Sequence, residues 1–304
     1  MKIIVTGGAG FIGSHAVDHL INDGHKVLVI DNLSTGKLNN LNHKADFENI
    51  DITDSRISDV VKAFDPNVIS HFAAQTSVSI STNNPILDAN SNIIGSMKIF
   101  DAMNETECRN FIYINTGGAL YGDPEYLPLD ESHRINPISP YGLSKWTAER
   151  YLLMQKKPYQ HVKTLRLSNV YGPRQDAFGE AGVVSIFSNK MLSGEPVTIF
   201  GDGKQTRDFV YVEDVVEAFK QVIKKDETFS VNISSGKTVS INELYELMSE
   251  ICRNSISPNY ESVRYGDLMH SVLSNKLASE LFGWTPRVDL VEGIKRTLSW
   301  HASD

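Results

Sequence analysis

The chain is poor in cysteine. Cys108 and Cys252 are the only two in 304 residues, and neither belongs to a CxxC pair. That argues against a zinc site or a disulfide framework and fits a reducing, cytoplasmic setting. No apolar run approaches the ~20 residues that a membrane span needs. The first residues enter a strand pattern at once, so no signal peptide is expected. Positive charge is also in deficit. The 29 Lys and Arg face 37 Asp and Glu, a formal net charge of −8, which sets a nucleic-acid partner aside. Local Arg and Lys can still meet an anionic small molecule. Internal repeats and low-complexity tracts are lacking. His15 and His19 lie one helical turn apart but have no third ligand near in the pattern, so no metal is expected.

What is present is alternation. The 41% of hydrophobic residues suit one large α/β unit or two closely joined domains. Short apolar runs at 2–6 and 26–31 read as buried strands, with a helix over 11–22 between them. Strand–helix–strand within about 30 residues is a βαβ unit and implies a parallel sheet. The pattern continues with strands at 45–50, 67–72, 110–114 and 161–167, and helices at 56–64, 85–104 and 141–155. After residue 168 the elements shorten and become irregular. The expected fold is α/β: a Rossmann-like doubly wound parallel sheet over 1–168 with a smaller C-terminal lobe over 169–304. A strand and helix within 208–223 are expected to rejoin the first sheet, so that 206–225 belongs with the first domain.

Gly7, Gly10 and Gly13 recur every three residues in Thr6-Gly7-Gly8-Ala9-Gly10-Phe11-Ile12-Gly13, between a strand and a helix. A tight turn, backbone approach to a pyrophosphate and close helix–strand packing each need a small residue there. Phosphates would face the helix N-terminus. Asp31 ends the next strand, where its carboxylate can accept from ribose hydroxyls and would repel the extra phosphate of NADP. NAD is therefore the expected cofactor. Asp51 and Ile52 are placed to meet the adenine. Phe72, Ala73 and Ala74 are placed to let backbone approach the pyrophosphate.

Tyr141 precedes Lys145 by four residues, which puts both on one helix face. An ammonium beside a phenol favours the phenolate and makes it a usable general base. Thr116 ends the strand Phe111-Ile-Tyr-Ile-Asn115 and can hydrogen-bond the oxygen whose proton Tyr141 removes. A base and a hydride carrier in one chain point to oxidation of a carbinol.

At these residues the chain resembles an extended short-chain dehydrogenase/reductase of the NAD-dependent epimerase/dehydratase family. Within the family it is most similar to UDP-glucose 4-epimerases. The marks span nearly the whole length. They are the glycine loop, Asp31-Asn-Leu-Ser-Thr-Gly36, His71-Phe-Ala-Ala74, Asn92-Ile-Ile-Gly-Ser96, Thr116-Gly-Gly-Ala-Leu-Tyr-Gly122, Tyr141-Gly-Leu-Ser-Lys145, Arg166-Leu-Ser-Asn-Val-Tyr-Gly-Pro-Arg174, Arg207-Asp-Phe-Val-Tyr-Val-Glu-Asp214 and Arg264-Tyr-Gly-Asp267. The resemblance implies NAD contacts at Phe11, Ile12, Asn32, Ser34 and Asn92 as well, with Tyr141 and Lys145 reaching the nicotinamide side. It implies a nucleotide-sugar lobe in which Arg207, Arg264 and Asn169 hold the diphosphate, Val183 and Phe200 flank the uracil, and Asp267 meets the ribose. It also implies a homodimer through the helices at 85–104 and 141–155. The implied reaction inverts C4 of a UDP-hexose. Tyr141 takes the 4-hydroxyl proton, hydride leaves and returns to the other face, and the keto sugar turns between the two steps.

Two departures stand out. Many relatives carry three serines where this chain has Thr116-Gly117-Gly118, so the hydroxyl must come from Thr116. The position that gates the 2-substituent of the sugar falls on Ser271, small enough to admit an N-acetyl group. Activity on UDP-GlcNAc/UDP-GalNAc is expected beside UDP-glucose/UDP-galactose. A 4,6-dehydratase or a glucuronate-directed relative would carry acids where Gly117 and Gly118 stand, and is disfavoured. A 4-keto-sugar reductase remains as an alternative, as does a non-enzymatic NAD-sensing protein. The latter would be expected to lack the Tyr/Lys pair.

Overall fold

A computed structural model describes residues 1–177, 182–253, 256–263 and 268–303. The first half is a wound sheet: β1 (Lys2–Thr6), α1 (Phe11–Asn22), β2 (Lys26–Asp31), β3 (Asp46–Asn49), α2 (Ile57–Phe64) and β4 (Val68–His71). Then follow α3 (Val78–Asn83), α4 (Pro85–Ala89), α5 (Ser96–Met103), β5 (Asn110–Thr116), α6 (Pro140–Gln155) and β6 (His161–Leu167). The second half of the chain carries β7 (Asn169–Tyr171), α7 (Val183–Leu192), β8 (Thr198–Phe200), β9 (Thr206–Arg207), β10 (Phe209–Tyr211), α8 (Val212–Ile223) and β11 (Phe229–Ile233). It closes with β12 (Val239–Ser240), α9 (Ile241–Cys252), β13 (Asn259–Glu261), α10 (Lys276–Phe282) and α11 (Leu290–His301).

The main sheet has seven parallel strands in the order β11-β6-β5-β4-β1-β2-β3. Strand alternation divides its core between two faces. Ile3 and Val5 pack with Val17 and Leu20 of α1 and Phe219 of α8, whereas Ile4 packs with Ile69, Phe100 and Leu152 on the opposite side. Burying each of these side chains contributes about 1.5–3 kcal/mol. A separate core of Tyr171, Phe187, Ile199, Leu244 and Ile294 holds the second lobe.

Two expectations are corrected. The strand near Asp208 does not rejoin the main sheet. It is β10, which pairs with β7 in a two-stranded sheet of its own, while α8 behind it does cover the main sheet. The seventh strand is β11, further along the chain. The single helix expected over 85–104 is a broken run. Asn84 caps α4 through its side chain, and a π-helical turn, Asn90–Gly95, separates α4 from α5. Gly95 lets this turn rest on Ile52, because a Cβ at 95 would fall 2.6 Å from Ile52 Cδ1.

Candidate active site

Strand order reverses between β1 and β4, and the loops following those strands form a crevice there. Gly7, at φ +70°, and Ala73 face each other across it. A Cβ on Gly7 would lie 2.6 Å from the Ala73 nitrogen, and one on Gly13 would lie 2.2 Å from the Gly7 oxygen. Gly10 caps α1 without any side-chain hydrogen bond, and no acidic residue occupies the first turn. The leading amides at Phe11, Ile12 and Gly13 therefore present an uncapped helix end. Close backbone approach and free N–H groups are what a pyrophosphate requires, so the crevice fits a dinucleotide.

Asp31 also braces this loop. One carboxylate oxygen accepts from Ala9 N at 3.0 Å and the other from Leu33 N at 2.8 Å. Each oxygen keeps a further lone pair for a hydroxyl. Asn32 donates to Asp51 at 2.6 Å and accepts from Ser34 N, tying together the ends of β2 and β3. Burial works to raise the Asp51 pKa, but hydrogen bonds from Thr53 and Asn32 outweigh it and hold the carboxylate below its ordinary value. Ile52 is buried behind it. Phe72 turns its ring onto Phe219, 5.5 Å away and edge-on, while Ala73 N donates to Thr6 Oγ1 and Ala74 follows at the crevice rim. Asn92, in the π turn, is 1% exposed and wholly engaged by protein partners. It donates to the Gln75 carbonyl, Asp88 and Ser144, and accepts from Gln75 N. It holds the β4 loop and α6 together, so a direct cofactor contact is not its evident role.

Ser139 caps α6 and Pro140 opens it, which fixes the helix start one residue before Tyr141. The buried face of α6 is unusually polar and includes Ser144, Lys145 and Glu149. Tyr141 lies near Thr116, at the end of β5, whose hydroxyl eases ionisation of the phenol. The electrostatics differ from the sequence expectation. Burial is the dominant influence on both members of the pair. It pushes the Tyr141 phenol up to about 12, Asp88 adding to the rise and Thr116 opposing it, and pulls Lys145 down to about 7 against Asp88 and Glu149. The Lys145 ammonium donates to the Ile114 carbonyl at 2.8 Å and lies 4.2 Å from the centre of the Tyr113 ring. Moving a cation out of water costs more here than its neighbours return.

Sequence reasoning passed over a buried polar chain beneath this pair. Glu149 and Arg166 form an ion pair at 2.6 Å with almost no exposure. Asn115 and Ser230 also donate to Glu149, and Arg166 donates to Tyr121, whose hydroxyl bonds Asn232. On the other side His71 bridges Thr6 at 2.7 Å and Ser96 at 2.9 Å, and its burial takes the imidazole down to about 3. The signal was present: Lys163 and Arg166 interrupt a strand otherwise read as apolar.

In the second lobe Asp208, fully buried, accepts from Ser168, Ser235, Gly236 and Leu273. Its carbonyl takes the Asn169 side chain at 3.2 Å. Arg207 is half-buried next to it, with a guanidinium nitrogen 2.9 Å from the Thr206 carbonyl. Thr206 bridges His270, and the Ser271 amide donates to the Thr206 carbonyl, so Ser271 lies beside the Arg207 strand. Phe200 is linked to the same strand through Gln205. Val183 opens α7 and packs on the second core. Arg264 and Asp267 lie outside the described residues. Among the described residues no cluster of His, Cys, Asp and Glu could hold a metal ion, and no helix is long and apolar enough to cross a membrane.

The profile of the NAD-dependent epimerase/dehydratase family matches residues 3–234. The chain belongs to this family. The match covers the dinucleotide crevice, the Thr116–Tyr141–Lys145 corner and β11, and NAD is the family's cofactor. The UDP-glucose 4-epimerase of Mycolicibacterium smegmatis is 40% identical over 99% of this chain and 98% of its own length. A UDP-glucose 4-epimerase from Thermotoga maritima, solved with UDP-glucose, superposes with a TM-score of 0.96 at 45% identity, covering 99% of this chain and 98% of that one. A UDP-N-acetylglucosamine 4-epimerase from Methanobrevibacter ruminantium, solved with UDP-N-acetylmuramic acid, gives 0.93 at 36% identity, over 99% and 98% of the two chains. The protein is thus an epimerase-like enzyme of the extended Rossmann type.

Proposed function

We propose that this enzyme inverts C4 of a UDP-hexose through a 4-keto intermediate. Its substrates would be UDP-glucose/UDP-galactose and UDP-GlcNAc/UDP-GalNAc. The observation that carries this reading is the corner formed by Thr116, Tyr141 and Lys145 at the end of β5, in which residues 117 and 118 are glycines. A base is present there, and the acid that dehydration would need is not. Bound in the crevice, NAD would supply the hydride acceptor and a cationic ring whose charge favours the Tyr141 phenolate. Tyr141 would take the 4-hydroxyl proton and give it back, and Thr116 would donate to the same oxygen. Lys145 would hold the nicotinamide ribose. Asp31 would take the adenosine ribose, with Asn32, Ser34, Asp51 and Ile52 around the adenine end.

Arg207, Arg264 and Asn169 would grip the diphosphate, with Val183 and Phe200 beside the uracil and Asp267 at its ribose. Binding energy placed on this unreacting half leaves the sugar free to turn. Ser271 would leave room for the 2-substituent. Two copies would pair through α4, the π turn and α6, where Ile86, Leu143 and Met154 are exposed. The cytoplasm would keep Cys108 and Cys252 as the free thiols they are here.

Product analysis on UDP-Glc, UDP-GlcNAc, UDP-GlcA and dTDP-Glc, with Tyr141→Phe as control, tests the proposal. Interconversion of the C4 epimers without added cofactor is the expected result. Consumption of one mole of NAD(P)H per product would show a keto-sugar reductase instead. Ser271→Tyr should selectively lose the N-acetyl sugars; equal loss on both sugars, or none, would remove the role given to Ser271.

A further inference from the structure

Three successive contacts fasten the loop after β7 to the wall of the dinucleotide crevice, two of them on α1 and one on the loop after β2. His15 Nε2 lies 2.9 Å from the Pro173 carbonyl. Arg174 pairs with Asp18 at 2.7 Å. Lys37 pairs with Asp176 at 3.4 Å. His15 and Asp18 are three residues apart on one face of α1, whose first turn faces the phosphate site. Lys37 belongs to the loop after β2, and its amide donates to the carbonyl of Ala9 in the glycine loop. Residues 173–176 therefore touch the crevice wall on both sides of the glycine loop.

The contacts are not equivalent. The Lys37–Asp176 pair is about half exposed on each side and contributes little by itself. The Arg174–Asp18 pair is roughly three-quarters buried on each side, which makes it a charge-assisted contact shielded from water. Arg174 adopts a left-handed backbone conformation, φ +67°, that a non-glycine residue seldom takes up without compensation. Its second guanidinium nitrogen is buried with no hydrogen-bond partner among the described residues. Backbone strain and a nitrogen unpaired among the described residues are both tolerated at one residue, and its ion pair with Asp18 joins the second lobe to α1.

We propose that Arg174 is a positioning residue for cofactor retention: by pairing with Asp18 it holds the 173–176 loop against α1, and this contact opens before the dinucleotide leaves. The two lobes then part at a defined point, and the residence time of NAD is set outside the groups that touch it. The idea concerns NAD alone and stands or falls independently of which sugar is turned over.

The test is NAD release from the holoenzyme, followed by the dinucleotide retained after timed gel filtration, with far-UV circular dichroism to establish the fold of each variant. Asp18→Asn and Arg174→Ala should each speed release about tenfold or more, Arg174→Lys should recover part of the loss, and the double variant should release no faster than the quicker single one. Lys190→Ala breaks the remote pair of Lys190 with Glu195 and should change nothing. Release within twofold of wild type in folded Asp18→Asn would overturn the proposal. So would equal acceleration by Lys190→Ala, or fully additive effects in the double variant.

Discussion

Leu273 occupies the space that a side chain at position 117 would need. A Cβ built on Gly117 lies 2.3 Å from Leu273 Cδ1 and 3.2 Å from the Leu167 carbonyl. The Thr-Gly-Gly sequence is thus matched to its surroundings, with the hydroxyl carried one residue earlier. Gly117→Ser should destabilise the protein by about 1–3 kcal/mol through overpacking, with Leu273→Ala returning part of it, as measured by urea unfolding. Thr116→Val should lower kcat by about a hundredfold or more, and Thr116→Ser should keep most activity. A Gly117→Ser substitution that restored Thr116→Val would place the donor at 117 after all.

Lys145 should leave a mark on alkaline stability. An unfolded lysine titrates near 10.4, whereas burial brings this one to about 7. Below pH 7 both states hold the proton and the burial cost is full. Between about 7 and 10.4 the folded state loses its proton first and the cost fades, so stability from this group rises with pH. Unfolding free energies of wild type minus Lys145→Met should therefore climb by up to roughly 4 kcal/mol across that window. A flat difference would mean that Lys145 is not desolvated as described.

His71 acts in the acid range. Its imidazole is neutral down to about 3 in the fold, against about 6.5 when unfolded. Above pH 6.5 neither state is charged. As pH falls from there toward 3 the unfolded chain takes the proton first, and stability is lost. His71→Gln should weaken the Thr6 and Ser96 bridge at neutral pH yet flatten the acid slope by a few kcal/mol. Equal slopes in the two proteins would remove His71 as the titrating group.

The apolar stripe on α4 and α6 bears on assembly. Ile86 and Met154 expose about three-quarters of their surface. Met154→Asp should shift the protein from dimer to monomer in light scattering, with little change in far-UV circular dichroism. A monomeric wild type at micromolar concentration would end the dimer proposal.

Much of the first lobe was legible because its strands are continuous apolar runs and its glycines sit where a Cβ has no room. Gly7 and Gly13 illustrate the second point. The π turn was not legible, since the poor helix formers of Asn90–Gly95 mark a weak stretch of helix without saying what form it takes, and the contact of Gly95 with Ile52 appears only in the fold. β11 was missed because two of its five residues are polar: Ser230 and Asn232 look like loop residues until Glu149 and Tyr121 are seen to bond them. The Tyr141–Lys145 pair was found by spacing, but spacing says nothing of burial, and burial sets both titrations. Asp208 sat unread inside a quoted motif, because a carboxylate serving three separate segments at once is visible only when those segments meet.

The route of the chain through the main sheet has a practical consequence. It leaves the sheet after Leu167 and re-enters at Phe229, on the strand directly beside the one it left. Residues 168–228, carrying β7 to α8, are thus spliced between two adjacent strands, the remainder of the second lobe follows β11, and no single cut frees a complete half. A fragment ending at residue 168 would present β6 as a bare edge, without the partner that bonds Lys163 through Leu167. Anyone dissecting this enzyme would have to supply residues 229–233 in trans or graft them by a short linker. The sheet that lines the dinucleotide crevice is completed only after the chain has passed through β7 to β10 of the second lobe, to which it then returns for β12, α9 and β13.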